Sequence, residues 1–359
     1  MAASYGARVL GEVTETRLDE VYTWLLACLA CWERTVLILQ FLHDLRGLAG
    51  DEQKGHLGFK SLDDALDVFM CEWKKEPVVE IASTASAAGK SQLLYYLAAI
   101  AVLPEPYGGR SAAVVYIDAD GRFDANRLRT VAMSIAQTTS PAETAPAPAP
   151  APAPAAAADT VKDSLQHVHV LQPASSGSLL ATLKTIEAYL LDTQRHVSST
   201  RPLHAILLDS ATAFLWQDKL RDQIARIEEI GLPASQIEQD RREHRSFVLG
   251  TLYAELVSEL RRLQGVFGCA VVYTATVWTR GVEGRGAVGF RSSLPSPWGL
   301  FPTLKVVVRA VGRGRFEAGV NTWAREDWSR RVVEGLQRIN RGGAFLFQAG
   351  VDGLVLSSS

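Results

Sequence analysis

Residues 78–103 read VVEIASTASAAGKSQLLYYLAAIAVL: a short apolar run, a loop of small residues closing on Gly89-Lys90-Ser91, and then an apolar helical pattern. Residue types at this spacing can hold the phosphates of a nucleotide. In the template G-x-x-x-x-G-K-[S/T], backbone N–H groups and the N-terminus of the following helix cradle the phosphates. The lysine reaches the outer phosphates and the hydroxyl holds magnesium. Gly89, Lys90 and Ser91 match it, but Thr84 stands where the first glycine belongs, and Ala85-Ser86-Ala87-Ala88 contains none. If the backbone there needed φ > 0, each Cβ would be strained by roughly 1 kcal/mol or more. Alone, the motif leaves two readings open, a phosphate site or a strand-to-helix turn with a chance Gly-Lys-Ser.

Two more strand ends supply carboxylates. The apolar run 113–117 leads into Asp118-Ala119-Asp120-Gly121, and the run 204–208 leads into Asp209-Ser210. Acidic residues at the carboxyl ends of parallel strands lie where open α/β sheets bind ligands. Asp209 has the form of a Walker B acid, which orients magnesium through its hydroxyl ligand or a water. Apolar strands ending in Asp are common; one lying two strand-helix units downstream of a phosphate loop favours the nucleotide reading.

The elements that must position these groups follow from periodicity. A turn at 58–63 enters a helix over 63–73, then comes the phosphate-loop strand and helix, the strand 113–117 and a helix over 125–135. Residues 138–160 are almost pure Pro and Ala, and the run up to Asp159 is expected to be an extended, disordered insertion. Order resumes with a strand at 167–171, a helix at 178–191 and the Asp209 strand. A mostly helical stretch follows over 217–267, its charges around 221–245 read as solvated surface. A strand at 270–273 comes next, and alternation around Ala349-Gly350 predicts a terminal hairpin. The pattern is that of an α/β fold with a mostly parallel twisted sheet flanked by helices. Residues 1–57 are expected to form an N-terminal helical extension, and 58–359 the core.

Composition narrows the classes. The 359 residues are 47% hydrophobic with a formal net charge of −2, which excludes a globally basic nucleic-acid binder but not a local basic face. Cys28, Cys31, Cys71 and Cys269 are too scattered for a disulfide scaffold, and the Cys28/Cys31 pair, lacking a second ligand pair, reads as core packing. No secretory signal is expected from the first residues. Glu33 and Arg34 interrupt the apolar stretch 21–42 short of the roughly 20 apolar residues a membrane span needs, so no membrane association is expected. That stretch reads as a helix that faces either a partner or its own core. The seven histidines are scattered, each reads as structural, and no second catalytic constellation is present.

In order, the phosphate loop, Tyr116-Ile117-Asp118-Ala119-Asp120-Gly121-Arg122-Phe123, Leu207-Leu208-Asp209-Ser210 with Phe214 and Trp216, and the strand 271–276 resemble the RecA-type recombinases. Within them the likeness is to the eukaryotic recombinase paralogues. It spans 58–356, the Pro/Ala insertion apart, and implies a RecA-like P-loop NTPase core binding ATP and Mg2+. Thr84, Ala85, Ser86, Ala87, Ala88, Gly89, Lys90 and Ser91 would form the nucleotide loop, with Ser91 and Asp209 at the magnesium. Asp120 falls where active recombinases carry the glutamate that activates water. A carboxylate one methylene shorter is withdrawn by about 1 Å, and misplacement on that scale can cost on the order of a hundredfold in rate. Val277 stands where filament-forming members carry a glutamine that senses the γ-phosphate, and it cannot make that hydrogen bond.

The resemblance places the family's DNA loop from Trp278. Residues 278–291 are glycine-rich, with Arg280, Arg285 and Arg291 beside the rings of Trp278 and Phe290, a composition suited to single strands. Arg280, Arg285, Phe290 and Arg291 are the expected DNA contacts. Downstream, Lys305, Arg309, Arg313, Arg315, Arg325, Arg330, Arg331, Arg338 and Arg341 outnumber the acids, consistent with phosphate contacts. The implied function is homologous recombination and double-strand break repair in the nucleus, in a hetero-oligomer with other recombinase paralogues on single-stranded or branched DNA. No small-molecule substrate beyond ATP is expected. Hydrolysis is expected to be slow or absent; the alternatives are a DNA-dependent ATPase in its own right and a nucleotide-independent scaffold.

Overall fold

Strands rich in Val, Ile and Leu without strict alternation belong in sheets covered on both faces, and that is where the chain puts them. The computed structural model describes residues 56–70, 76–138, 154–192, 194–243, 246–278, 282–284, 287–323 and 325–357. After α1 (Lys60–Met70) come β1 (Val78–Ser83), α2 (Lys90–Val102), β2 (Ala113–Asp118), α3 (Ala125–Thr138), α4 (Pro154–Leu165), β3 (Val168–Leu171), α5 (Ser176–Leu191) and β4 (Leu203–Asp209). Then follow α6 (Leu215–Glu228), α7 (Ala234–Arg242), α8 (Leu249–Phe267) and β5 (Ala270–Thr276). Beyond a small ribbon of β6 (Val282–Gly284) and β7 (Ala287–Gly289) lie β8 (Leu304–Gly312), β9 (Arg315–Val320), α9 (Arg330–Arg338), β10 (Phe345–Gly350) and β11 (Gly353–Ser357).

Nine strands form one sheet in the order β11-β10-β9-β8-β1-β5-β4-β2-β3. From β8 through β1, β5, β4 and β2 to β3 every pair is parallel, while β8-β9, β9-β10 and β10-β11 are antiparallel. This is the expected RecA-like α/β architecture, with the phosphate-loop strand β1 in its middle. The period-two alternation of side chains divides the core into two layers. Val79, Ile81, Tyr116 and Leu207 face α1, α2 and α3. Val78, Ile117, Ile206 and Val271 face α5 and α8.

Several boundaries differ from those the sequence predicts. Helix α1 begins at Lys60 because the carboxylate of Asp63 turns back to accept from the backbone N–H groups of Leu57 (2.7 Å) and Gly58 (3.0 Å). Leu57 is buried in the core cluster. The Pro/Ala run was expected to stay extended to Asp159, yet the chain is already helical from Pro154, where alanines favour a helix that seats Val161 in the core. The terminal hairpin forms as expected, its turn at Val351-Asp352 rather than Ala349-Gly350. Residues 1–55, with Cys28, Cys31 and the apolar stretch 21–42, lie outside the described residues, as do Cys71 and 139–153. Among the described residues no helix is long and apolar enough to cross a membrane.

At the β3 edge, three of the histidines gather. Ser198 Oγ lies 2.9 Å from both His167 Nδ1 and His169 Nε2, and His169 Nδ1 lies 3.0 Å from the Tyr189 hydroxyl. The His169 and His196 rings meet at 4.9 Å. Burial, with His196 and His167 adding repulsion, lowers the His169 pKa from 6.5 to about 4. The ring therefore stays neutral in the folded chain at pH values where the unfolded chain protonates it. Its stabilising contribution is complete above about pH 6.5 and is lost as pH falls toward 4. Thermal melting scanned over that window should show stability declining with acidification, and His169→Gln, which cannot titrate, should show a shallower decline. Equal slopes in both proteins would rule this origin out.

Candidate nucleotide and nucleic-acid site

The phosphate loop leaves the carboxyl end of β1, hydrogen-bonded between β5 and β8. Ser83 Oγ accepts from the Ala85 N–H (3.0 Å) and donates to the Ala85 carbonyl (2.8 Å), starting a tight turn. Thr84, Ala85, Ser86 and Ala87 are exposed and Ala88 is buried. Gly89 then caps α2 at φ 88°, ψ 4°. Among the described residues Ser111 alone is a non-glycine with positive φ, so Thr84 to Ala88 follow backbone that ordinary residues adopt. The missing glycines cost no φ strain. Gly89 is the position that must be glycine, for its conformation and because a Cβ there would sit 3.0 Å from the Phe316 ring.

Lys90 is buried, and its ammonium donates to the Ala85 carbonyl at 3.1 Å. Burial lowers its pKa, opposed by the carboxylates of Asp209 and then Asp120. Ser91 follows in the first turn of α2. An ammonium and a hydroxyl at a helix N-terminus, facing two carboxylates, are a donor set that fits a magnesium-bound triphosphate. Among the described residues no group of three His, Cys, Asp or Glu is arranged to hold a metal unaided, and magnesium on a nucleotide needs only one or two protein ligands beside the phosphates.

The two acids differ in their surroundings. Asp209 is buried, one oxygen accepting from the Tyr116 hydroxyl (3.1 Å) and the other from Thr274 Oγ1 (2.5 Å). These donors hold the carboxylate still, leaving lone pairs for one further donor at each oxygen. Asp120 is exposed and accepts from Ser210 Oγ at 3.3 Å. Desolvation and then the Asp209 charge raise its pKa, with Arg122 opposing. Asp118, paired with Asp120 in sequence, does other work: its oxygens accept from the N–H groups of Arg122 and Phe123, both at 3.0 Å, and fix the turn that presents Asp120. The Asp209-Ser210 peptide is cis.

Past β5 the structure corrects one of the expected DNA contacts. Phe290, expected to stack on bases, is 7% exposed and packs with Ala82, Val277 and Val307. Its backbone is clamped by Asn321, which accepts from the Phe290 N–H (3.0 Å) and donates to the Phe290 carbonyl (2.8 Å). Val277 is buried in the same cluster. Arg280 and Arg285 lie outside the described residues, and Arg291 is exposed. Part of the downstream basic run is internally engaged: Arg309 bonds Glu317 (2.7 Å), Arg330 bonds Glu334 (2.7 Å), and Lys305 donates to the Gly299 carbonyl (2.6 Å).

Two exposed rings meet at the loop mouth, Trp216 and Trp278, their centroids 5.3 Å apart, with the Lys219 ammonium 4.6 Å above Trp216. Trp216 and Lys219 belong to a helix 60 residues upstream of the glycine-rich loop, and only the neighbouring carboxyl ends of β4 and β5 bring them to it. No local sequence signal marks them as its partners.

A family model described as Rad51 matches residues 58–143. DNA repair protein XRCC2 of Mus musculus is 30% identical over 133 residues, 37% of this chain and 39% of the relative. DNA repair and recombination protein RadA of Methanoculleus marisnigri is 25% identical over 126 residues, 35% of this chain and 33% of the relative. The matches thus span between a third and two fifths of these relatives' own length. Over these residues the chain is similar to RecA-type recombinases of the XRCC2 and RadA kind, and the largely parallel nine-stranded sheet with the Gly89-Lys90-Ser91 turn following its central strand is the RecA-like α/β fold.

Proposed function

We propose that the chain acts in homologous recombination and double-strand break repair, as a nuclear recombinase paralogue subunit. It joins other recombinase paralogues in a hetero-oligomer on single-stranded or branched DNA and assists assembly of the main recombinase filament. The N-terminal extension 1–57 and the core 58–359 are its two parts in this reading. The names of the relatives, repair and recombination proteins, support the process. The observation that carries the mechanism is the unstrained loop ending in Gly89 and Lys90, with Asp209 and Asp120 across from it.

ATP would be held by the loop from Thr84 to Ser91, with Lys90 at its outer phosphates. Mg2+ would be held by Ser91 and, directly or through water, Asp209. When bound, the nucleotide supplies a phosphoanhydride whose hydrolysis needs an activated water. The residues of this chain are better disposed for binding than for that step. Asp209 is tied to Tyr116 and Thr274, while Asp120, the shorter acid, spends one oxygen on Ser210. The Lys90 ammonium spends one of its three donors on the Ala85 carbonyl, so the loop is closed on itself without a phosphate, and that bond favours a second reading, a scaffold that keeps the fold without nucleotide. At the loop mouth Trp216, Trp278 and Lys219 offer the stacking faces and the cation that single strands use.

Two measurements check these assignments. A fluorescent ATP analogue with magnesium should bind the wild type, and Lys90→Ala should weaken binding by about tenfold or more, the worth of a charge-assisted hydrogen bond. Folded wild type that fails to bind would leave the scaffold. Single-stranded oligonucleotide should quench tryptophan fluorescence, with affinity falling as salt rises. Trp278→Ala should weaken that affinity roughly tenfold, the scale of one stacked base; unchanged affinity would remove the tryptophans from the DNA path.

A further inference from the structure

Helix α6 is amphipathic the wrong way round for a free surface. Toward the protein it buries Leu215, Asp218, Asp222 and Ala225. Toward solvent it shows Leu220 (58% exposed), Ile224 (46%) and Ile227 (65%), and Ile230 (78%) continues the row just past its end. Spacings of four, three and three residues set these side chains in one stripe along the helix. Rolling the helix to hide the stripe would break its inner bonds. Asp218 accepts from Ser176 Oγ and from the Tyr253 hydroxyl (3.3 Å), and Asp222 accepts from the Leu249 N–H at the start of α8 (2.9 Å). Helix α7, next in the chain, buries no residue of its own.

The charges beside the stripe say what covers it. Arg221 and Glu228 lie on the same flank, seven residues and two turns apart, the base toward the N-terminus and the acid toward the C-terminus. Arg221 rests on the Phe247 ring at 4.3 Å, and neither it nor Glu228 has an ion-pair partner among the described residues. A flank ordered base then acid complements itself when reversed. Two antiparallel copies of α6 related by a two-fold axis near Ile224-Ala225 would set each Arg221 against Glu228 of the other copy. The four apolar residues then fill the seam, and the helix dipoles oppose favourably. We propose that α6 is a homotypic docking face, pairing with the α6 of a second copy of this chain in antiparallel register. The pairing needs neither nucleotide nor DNA, so its failure would leave the recombination reading intact.

Sedimentation velocity of the full chain over a concentration series tests this directly. Wild type should dimerise, and Ile227→Glu should be monomeric with an unchanged circular dichroism spectrum and melting temperature, since the side chain it replaces is exposed. Arg221→Glu and Glu228→Arg should each weaken the dimer about tenfold, the scale of two lost rim pairs replaced by repulsion, and the two changes combined should restore it. A wild type monomeric up to about 100 μM would overturn the proposal, whatever other protein covers the stripe; dimers of that concentration range are readily populated at micromolar affinity. So would a dimer indifferent to Ile227→Glu, or a combined variant as weak as the single ones.

Discussion

The charge of Lys90 is the constraint around which the site is arranged. A buried ammonium is costly unless opposite charge stands close by, and here the opposing carboxylates come from the ends of two other strands. Asp209 ends β4, Asp120 follows β2, and the parallel order β1-β5-β4-β2 brings these carboxyl ends to one edge. Any α/β chain must deal with the ends of buried strands; this one uses them to collect one ammonium, two carboxylates and several hydroxyls.

Those hydroxyls set the character of the site. Tyr116 and Thr274 donate to Asp209, one to each oxygen, and Ser210 donates to one oxygen of Asp120, so both acids are held by the protein's own donors. Groups held in this way keep their position, which suits binding. The same economy shapes the neighbouring loop. Val277 and Phe290 close a small apolar cluster with Ala82 and Val307 beside the loop. What stays exposed is aromatic and cationic at the loop mouth, and aliphatic along α6. Surfaces of the first kind suit nucleobases, and those of the second suit another protein.

Much of the fold was legible because burial on both sheet faces writes itself as runs of Val, Ile and Leu ending in turn residues. Strand β1, the Gly89-Lys90-Ser91 turn, and the strands ending at Asp118 and Asp209 all sit where those patterns put them. Boundaries failed where one side chain's own contacts decided them: Asp63 reaching back to the Leu57 N–H, or Val161 finding the core and drawing the alanines before it into a helix.

By itself the sequence determined the α/β class, the strand-turn-helix unit that carries Gly89-Lys90-Ser91 and the strands that end at Asp118 and Asp209, because each of these patterns is local. It could not assign the fates of Phe290 and Trp216, two aromatic residues of similar appearance in the chain. Phe290 is buried because Asn321, from beyond β9, clamps its backbone beside Val277. Trp216 is exposed beside Trp278 because β4 and β5 are neighbours in space. The sequence was equally silent on which face of α6 turns inward, since apolar spacing alone predicts the opposite of what is observed. That choice rests on Ser176, Tyr253 and the start of α8, which give two aspartates their hydrogen bonds inside the protein and leave the aliphatic stripe to the surface.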